Sequence, residues 1–300
     1  MKEKYIIMDV AKCHDCNNCF LACLDEYAEN DWSPYQAPAP RHGHRWMDVL
    51  RRERGENDRI DTAFLAKPCF QCGDAACLKA GAAGDFGRMR EDGIVVFDLS
   101  AGKGKDITGT CPYGAIWWNP EEQLSQKCDF CAHLLDDPSW EPGVPRCVHT
   151  CPTGALAFVS EEPAEFEKRV SAEGLCAYKP ELCAKPHVWY KNLHRFTKNF
   201  IAGQVLKGGD VAPGVVVTLR GAGDEDGSVE SGIGGDSRED GSVESGIGGA
   251  GCEAELTSDI FGEFRFDGLD DGEYTLFAEG KELAKVTVAG ASLDAGDFEI

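Results

Sequence analysis

The sequence predicts an α+β protein of two domains, a cysteine-rich domain over residues 1–199 and a small antiparallel β-sandwich over residues 200–300. Three observations lead to this prediction. Cysteines recur at short spacings up to residue 151, short apolar segments precede the places where cysteine loops are found or expected, and apolar residues alternate with polar ones beyond residue 200. A chain of 300 residues has room for two such domains.

The first domain opens with four cysteines spaced C-x2-C-x2-C-x3-C, and a second group, C-x2-C-x15-C-x3-C-P, closes it. In bacterial ferredoxins such a run binds [4Fe-4S] clusters, and its fourth cysteine ligates the other cluster of the pair. Exchange of the fourth cysteines between the two groups gives two complete sites. Site A consists of Cys13, Cys16, Cys19 and Cys151, and site B consists of Cys128, Cys131, Cys147 and Cys23.

A third site is predicted between these two groups. The segment C-x2-C-x4-C lacks a fourth cysteine, and an isolated C-P pair follows it downstream. Site C therefore consists of Cys69, Cys72, Cys77 and Cys111. The cysteines missing from a full four-run layout would fall at four positions, Gly81, Ala101, Gly104 and Ile107.

By the exchange rule these four missing cysteines would together have formed one fourth cluster. The pattern thus predicts three whole [4Fe-4S] clusters and no half-built site. We expect the place of the fourth cluster to be filled by side chains or by the glycine-rich segment 81–87.

Zinc is the main alternative to iron, because C-x2-C pairs also form tetrahedral zinc sites. The compact four-cysteine run and the C-P endings do not suit that arrangement, and disulfides would require an export signal. Three further cysteines have no predicted partner and are interpreted as small buried hydrophobic residues: Cys176, Cys183 and Cys252.

Two short apolar segments, residues 4–9 and 93–98, are predicted strands that precede a cysteine loop or the place of one, as in ferredoxins. Residues 41–54 combine several arginines with Trp46 and Met47. This basic segment is expected to dock a partner, to lie against the thiolate clusters, or to be a solvated face whose arginines pair with local carboxylates.

In the second domain, period-two alternation predicts the strands of the sandwich. It occurs at 215–220 and around Phe264, Tyr274, Val286 and Phe298. An eleven-residue sequence, EDGSVESGIGG, occurs at 225–235 and again at 239–249. A loop of this composition cannot bury a core, so an insertion at about 222–251 is predicted to be disordered.

The charge balance excludes some classes of partner. Lys and Arg number 30 against 52 Asp and Glu, a net charge of −22 that disfavours nucleic acid and anionic lipid. A protein or small molecule is the expected partner, unless the charge serves solubility alone. Residues 1–10 do not resemble a signal peptide, and no apolar stretch approaches 18 residues, so a cytoplasmic location without membrane insertion is expected.

Specific motifs add a family resemblance. The segments KCDFC at 127–131, CPYGAI at 111–116 and CPTGAL at 151–156 resemble the iron-sulfur subunits of molybdopterin oxidoreductases of the dimethyl-sulfoxide-reductase family. Members of that family normally carry four clusters, one more than is predicted for this chain. The smaller number, together with RHGHRWM at 41–47 and YKNLHRF at 190–196, makes the chain similar to the small subunits of aromatic transhydroxylases. Residues 257–274 are similar to collagen-adhesin B-type and carboxypeptidase-regulatory-like domains.

This resemblance implies a large partner subunit that holds molybdenum with two pterin guanine dinucleotides and moves hydroxyl groups between polyhydroxylated benzenes. The present chain would then be a non-catalytic electron-transfer subunit with no catalytic acid, base or nucleophile. Three other functions are considered: the iron-sulfur subunit of a related molybdenum reductase such as a catechol-type dehydroxylase, a mainly structural subunit, and a free-standing ferredoxin.

Overall fold

The computed structural model describes residues 1–79, 83–182, 185–222 and 251–300. Gly81, Cys183 and residues 223–250 of the predicted disordered loop lie outside this part of the chain. The chain divides into two compact units. The first comprises Met1–Leu50 and Phe64–Lys191, and the second comprises Arg51–Ala63 and Asn192–Ile300.

The division differs from the predicted boundary at residues 199 and 200 in two respects. Residues 192–199 belong to the second unit, and so does the segment 51–63, which the sequence places in the first domain. The second assignment has a visible cause in the buried Arg54, whose guanidinium donates hydrogen bonds to Asp267 at 2.7 and 2.8 Å.

Elements up to residue 191 are mostly short. The strands are β1 (Glu3–Asp9), β2 (Asp48–Glu56), β3 (Arg59–Lys67), β4 (Gly87–Met89), β5 (Val95–Phe97), β6 (Trp117–Asn119), β7 (Leu124–Gln126), β8 (Leu156–Glu161) and β9 (Val188–Lys191). The α-helices are α1 (Asn18–Tyr27), α2 (Ala132–Leu135), α3 (Arg146–His149) and α4 (Pro163–Ala172). Short 3-10 turns span Val10–Lys12, Ala76–Leu78, Thr108–Thr110 and Pro180–Leu182.

The strand β1 organises the first unit. It pairs antiparallel with β8 and parallel with β9 in a three-stranded sheet. Residues 5–8 are all buried, so both faces of the strand are covered, as its continuous apolar run requires. The Tyr5 ring stacks on Phe166 of α4 on one face, and on the other the Met8 sulfur accepts a hydrogen bond from the Ala66 N–H at 3.0 Å. The predicted strand at 4–9 is thus confirmed.

The place predicted for a fourth cluster lies in an apolar cluster of the first unit. Ile107 is buried there together with Phe86, Val95 and Phe97. Ala83 of the glycine-rich segment also belongs to this cluster. The other two described positions, Ala101 and Gly104, are exposed. Apolar side chains therefore occupy this part of the unit.

Besides parts of β2 and β3 in residues 51–63, the described residues of the second unit contain a helix and eight strands. They are α5 (His194–Thr197), β10 (Asn199–Lys207), β11 (Asp210–Val211), β12 (Val216–Gly221), β13 (Glu253–Thr257), β14 (Glu263–Leu269), β15 (Gly272–Ala278), β16 (Lys281–Val288) and β17 (Leu293–Glu299). One sheet has the order β11-β10-β14 with β17 beside β10, and the other has the order β13-β12-β15-β16.

The alternation predicted for this unit is confirmed. Val217, Leu219, Phe266 and Leu276 are fully buried in one apolar core built from both sheets. The prediction of a wholly antiparallel sandwich is wrong, however, because β17 runs parallel to β10. The chain passes from one sheet to the other between β16 and β17. These two strands therefore do not form a hairpin, which would have made them an antiparallel pair.

The basic segment 41–54 shows features of two of its three expected roles. Arg41 pairs with Glu29 and Arg45 with Asp48, as a face paired with local carboxylates would. Trp46 and Met47 are buried, however, and His44 and Trp46 line a small cavity together with the candidate ligand Cys23. Docking of a partner by this segment stays a prediction.

Candidate metal centres

The four cysteines of site A surround one cavity. Cys13, Cys16, Cys19 and Cys151 line it together with apolar side chains that include Met8 and Leu156. The structure therefore brings together three cysteines from one end of the first unit and a fourth that lies far along the sequence.

The four cysteines of site C likewise surround one cavity. Phe70, Val95 and Ile116 contribute apolar walls, and one cationic side chain, Lys127, also lines the cavity. Cys69, Cys72 and Cys77 come from one loop, and Cys111 comes from the predicted C-P turn.

The thiols of site B are close enough to influence one another. Burial raises the pKa of the Cys23 thiol well above its ordinary value, and the thiols of Cys128, Cys131 and Cys147 raise it further. Cys23 follows Cys19 by one helical turn in α1, but the two thiols belong to different groups. Cys23 thus lies among the thiols of the second cysteine group, and its exchange into site B as a ligand stays a prediction.

A left-handed residue lies inside each C-x2-C pair. In three pairs it is the residue two positions after the first cysteine, with φ of 54° at Asp15, 47° at Gln71 and 56° at Phe130. In the fourth pair, Cys16 and Cys19, it is Asn17, with φ of 59°. Non-glycine residues rarely adopt positive φ, and such residues persist only where the surroundings hold them. At Asp15 the support is the Asn17 side-chain amide, which donates to the Asp15 carbonyl at 2.9 Å.

The two C-P-x-G turns also share one geometry. Gly114 and Gly154 both have φ of 64°, a conformation that glycine adopts without steric cost. Each glycine N–H donates to the carbonyl of the cysteine three residues earlier. The Ala115 N–H then lies 3.4 Å from the Cys111 sulfur, so the turn directs a backbone donor at a candidate ligand. Hydrogen bonds to ligand sulfur are one determinant of cluster potential.

The three sites lie in the spatial order A, B, C. The pKa of the Cys147 thiol in site B is raised by burial, by its neighbours in site B and also by the Cys19 thiol of site A. The pKa of the Cys128 thiol in site B is raised by burial and then by the Cys69 thiol of site C. Site B is thus the central site, although site C is central in the sequence.

The solvent exposure of the thiols also differs between the three sites. Cys16 of site A is exposed, and Cys72, Cys77 and Cys111 of site C are half-buried. In site B, Cys128, Cys131 and Cys147 are buried and Cys23 is half-buried. Site A, with the exposed Cys16, therefore approaches the surface of the first unit most closely, whereas site B has the most buried thiols.

The thiols must release protons before they can bind a metal. Burial raises the pKa of Cys19, Cys77 and Cys131 to about 12 in each case, so these thiols are protonated at neutral pH before a metal binds. At Cys151 burial acts in the same direction, but backbone and Thr153 hydrogen bonds lower the pKa below its ordinary value. Since the ligand is the thiolate, metal binding here is coupled to proton release.

A single metal ion does not match this arrangement. Within the described residues, no three His, Cys, Asp or Glu side chains are close enough to hold one ion. Four sulfurs around one zinc at about 2.3 Å would all lie within about 4 Å of each other. The cysteines instead surround cavities, and their all-thiolate donor sets match the ligands of iron-sulfur clusters.

Several polar residues near the sites were not found by sequence reasoning. Gln71 is fully buried, and its amide donates to the Cys128 carbonyl at 2.8 Å while its oxygen accepts the Val95 N–H at 2.9 Å. Asp129 is also fully buried and accepts hydrogen bonds from Tyr27 and the Cys131 N–H. The only signal in the sequence was their position inside the C-x2-C pairs.

Two of the cysteines without a predicted partner are described by the structure. Cys252 is buried in the sandwich core, as predicted. Cys176 is exposed, so its interpretation as a buried residue is wrong. Its backbone forms an isolated antiparallel bridge with the backbone of Tyr190.

One further observation concerns membranes. None of the helices in the described residues has both the length and the apolar character needed to cross a bilayer.

Comparison with known proteins agrees with this geometry. Residues 60–161 match the family of 4Fe-4S dicluster domains. The chain is 42% identical over 304 residues to the pyrogallol hydroxytransferase small subunit of Pelobacter acidigallici, with all of both chains covered.

Other relatives share only the cysteine-rich part. The formate dehydrogenase iron-sulfur subunit of Haemophilus influenzae is 29% identical over 61% of this chain and 62% of its own length. The formate dehydrogenase-O iron-sulfur subunit of Escherichia coli is 29% identical over 66% of this chain and 69% of its own length. The solved structure of the major pilin subunit of Bacillus cereus is similar with a TM-score of 0.23 and 11% sequence identity. The match covers 48% of this chain and 33% of the pilin chain, and the likeness is too weak to support an argument.

Proposed function

Because this chain belongs to the family of pyrogallol hydroxytransferase small subunits, we propose that it is the electron-transfer subunit of a molybdopterin enzyme that transfers hydroxyl groups between pyrogallol and phloroglucinol. The chemistry would occur in a separate large subunit, which by resemblance holds molybdenum with two pterin guanine dinucleotides. In this proposal no residue of the present chain is a catalytic acid, base or nucleophile.

Three groups of four cysteines carry the proposal. We assign one [4Fe-4S] cluster to each of sites A, B and C, and such clusters would accept and donate single electrons there. The cysteines supply four thiolate ligands per site. Apolar side chains line the cavities of sites A and C, and a left-handed residue lies within each C-x2-C pair.

The spatial order supports a relay rather than three independent sites. Site B shares thiol neighbours with both outer sites, through Cys147 toward site A and through Cys128 toward site C. An electron that enters at either partly exposed end would therefore pass through site B, which has the most buried thiols. We propose that the end at Cys16, the exposed cysteine of site A, faces the catalytic subunit.

A mainly structural role is the second candidate, because hydroxyl transfer between two benzenes is redox-neutral overall. The two roles differ in kinetics. In the complex of this chain with its large subunit, rapid-freeze measurements should show reduction of the clusters by substrate or by a physiological donor within the turnover time. Clusters that stay oxidised through turnover and activation would exclude electron transfer and leave only the structural role.

Metal analysis tests the sites directly. Three clusters predict about twelve irons and as much acid-labile sulfide per chain in anaerobically purified protein. About eight or sixteen irons, or zinc in place of iron, would contradict the assignment. Isolation of the chain without a molybdenum protein under conditions that preserve complexes would favour a free-standing ferredoxin.

Two cysteine substitutions test the exchange of ligands. Cys151→Ser should abolish the electron paramagnetic resonance signal of site A alone, and Cys111→Ser should abolish that of site C alone. The matched control is Cys176→Ser, which removes an exposed thiol outside the three sites and should leave all signals unchanged. Loss of site B in the Cys151→Ser variant, with site A intact, would show that the cysteines are paired differently.

A further inference from the structure

Lys127 is an unusual buried cation. Its side chain is among the largest fully buried ones in the first unit, with 1% exposure, and it lines the cavity of site C. The ammonium group donates to the Val95 carbonyl at 2.5 Å and the Cys128 carbonyl at 3.1 Å. Its distance to the side-chain oxygen of Gln71 is 3.5 Å, at the limit of a hydrogen bond.

All of these hydrogen-bonding partners are neutral. Within the described part of the chain, no carboxylate forms an ion pair with Lys127, whereas the buried Arg54 of the second unit contacts two carboxylates. A buried charge is costly unless an opposite charge compensates for it. The compensating charge for Lys127 must therefore come from something other than these amide oxygens.

The thiols of site C are the nearest candidates. Lys127 lines one cavity together with Cys69, Cys72, Cys77 and Cys111. All four cysteines are ligands of site C in the proposed assignment. The Phe97 ring, whose centroid lies 5.2 Å from the ammonium, makes a cation–π contact with it but carries no net charge.

We propose that Lys127 is the fixed counter-charge of site C and raises the reduction potential of the cluster held there. The proposal rests on the assignment of a cluster to site C. A cluster with four thiolate ligands gains negative charge on reduction, and a nearby positive charge stabilises the reduced form more than the oxidised form. Lys127 would thereby favour an electron on site C over the same electron on site B or A.

The test is a redox titration of the purified complex, followed by electron paramagnetic resonance. Lys127→Met removes the charge and keeps an unbranched side chain of similar length. We expect the equilibrium constant for reduction of site C to fall at least tenfold, which is about 59 mV for a one-electron couple. Site A, the most distant site, is the internal control and should shift much less.

Matched variants separate charge from packing. Lys127→Arg retains the charge and should keep the potential of site C nearer to the original value. Lys105→Met is the control for loss of a charge elsewhere, because the Lys105 side chain is 44% exposed and pairs with Asp85. In this variant the equilibrium constant for reduction of each of the three sites should change by less than twofold.

An unchanged potential at site C in the Lys127→Met variant, with all three clusters present, would overturn the inference. If that variant loses the cluster at site C, Lys127→Gln is titrated under the same criterion. If both neutral variants lose the cluster at site C, its retention in Lys127→Arg supports the role of Lys127 as counter-charge. Loss of the cluster in Lys127→Arg as well overturns the inference. An iron content below twelve in the unmodified complex would instead overturn the cluster assignment itself.

Discussion

The two units of this protein are built around different kinds of interior. The second unit has a continuous apolar core in which side chains from both sheets meet, among them Phe266, Leu276 and Val217. The first unit also has apolar clusters, such as the one around Tyr5 and Phe166. In addition it holds the twelve candidate ligands and buried polar side chains such as Gln71 and Asp129.

This difference indicates what stabilises each unit. Burial of apolar surface, at about 25 cal/mol per Å², is sufficient to account for a sandwich of this kind. In the first unit, buried thiols and a buried ammonium occupy positions that apolar side chains would otherwise fill. There the free energy of cluster binding is part of the free energy of folding, as in other small metal-binding domains.

Removal of iron should therefore have the largest effect and should separate the two units. After anaerobic chelation of the full chain, amide hydrogen exchange should become fast in β1 and α1 and remain slow in β14 and β15. All six tryptophans lie in the first unit, so their fluorescence reports on it alone. Equal loss of protection in both units would show that the second unit also depends on the clusters.

A core truncation in the second unit should have the opposite pattern. Phe266→Ala should lower the free energy of unfolding of that unit by about 3–5 kcal/mol, because the ring is fully buried, and should leave the iron content unchanged. Phe261→Ala is the matched control, since that ring is 60% exposed, and it should change stability by less than about 0.5 kcal/mol. Denaturant unfolding, monitored by hydrogen exchange in the second unit, measures the free energy of unfolding of the Phe266→Ala and Phe261→Ala variants. Comparable losses would show that the sandwich core does not carry the stability assigned to it.

A smaller effect is expected from acid, again in the second unit. Burial acts to raise the pKa of Asp61, but the hydrogen bond from Arg54 and the charges of Arg195 and Arg265 hold it below its ordinary value. A carboxyl with a lowered pKa in the folded state stabilises the protein above the unfolded-state pKa of about 3.9, and this contribution is lost as pH falls through the folded-state value.

Stability of the second unit should thus decline below about pH 4 by more in the unmodified protein than in Asp61→Asn. The measurement is the unfolding midpoint of the sandwich as a function of pH. Parallel pH profiles for the two proteins would mean that Asp61 contributes nothing to this dependence.

The sequence by itself determined which residues are candidates and how the cysteines combine. The spacing of Cys13, Cys16 and Cys19 reflects a local loop, and the exchange of Cys23 and Cys151 follows from a general rule for such loops. The alternation around Phe264 and Tyr274 is also local, because side chains on a strand point to opposite faces in turn. These features depend on few residues, so they can be read without a structure.

Only the tertiary structure decided that site B is central, that Lys127 is buried beside site C, that the segment 51–63 joins the second unit, and that β17 runs parallel to β10. Each of these depends on which distant segments come into contact. Lys127 looks like an ordinary surface residue in the sequence, since long cationic side chains are rarely buried. Its surroundings are supplied by residues 71, 95 and 97, which no local pattern connects to it.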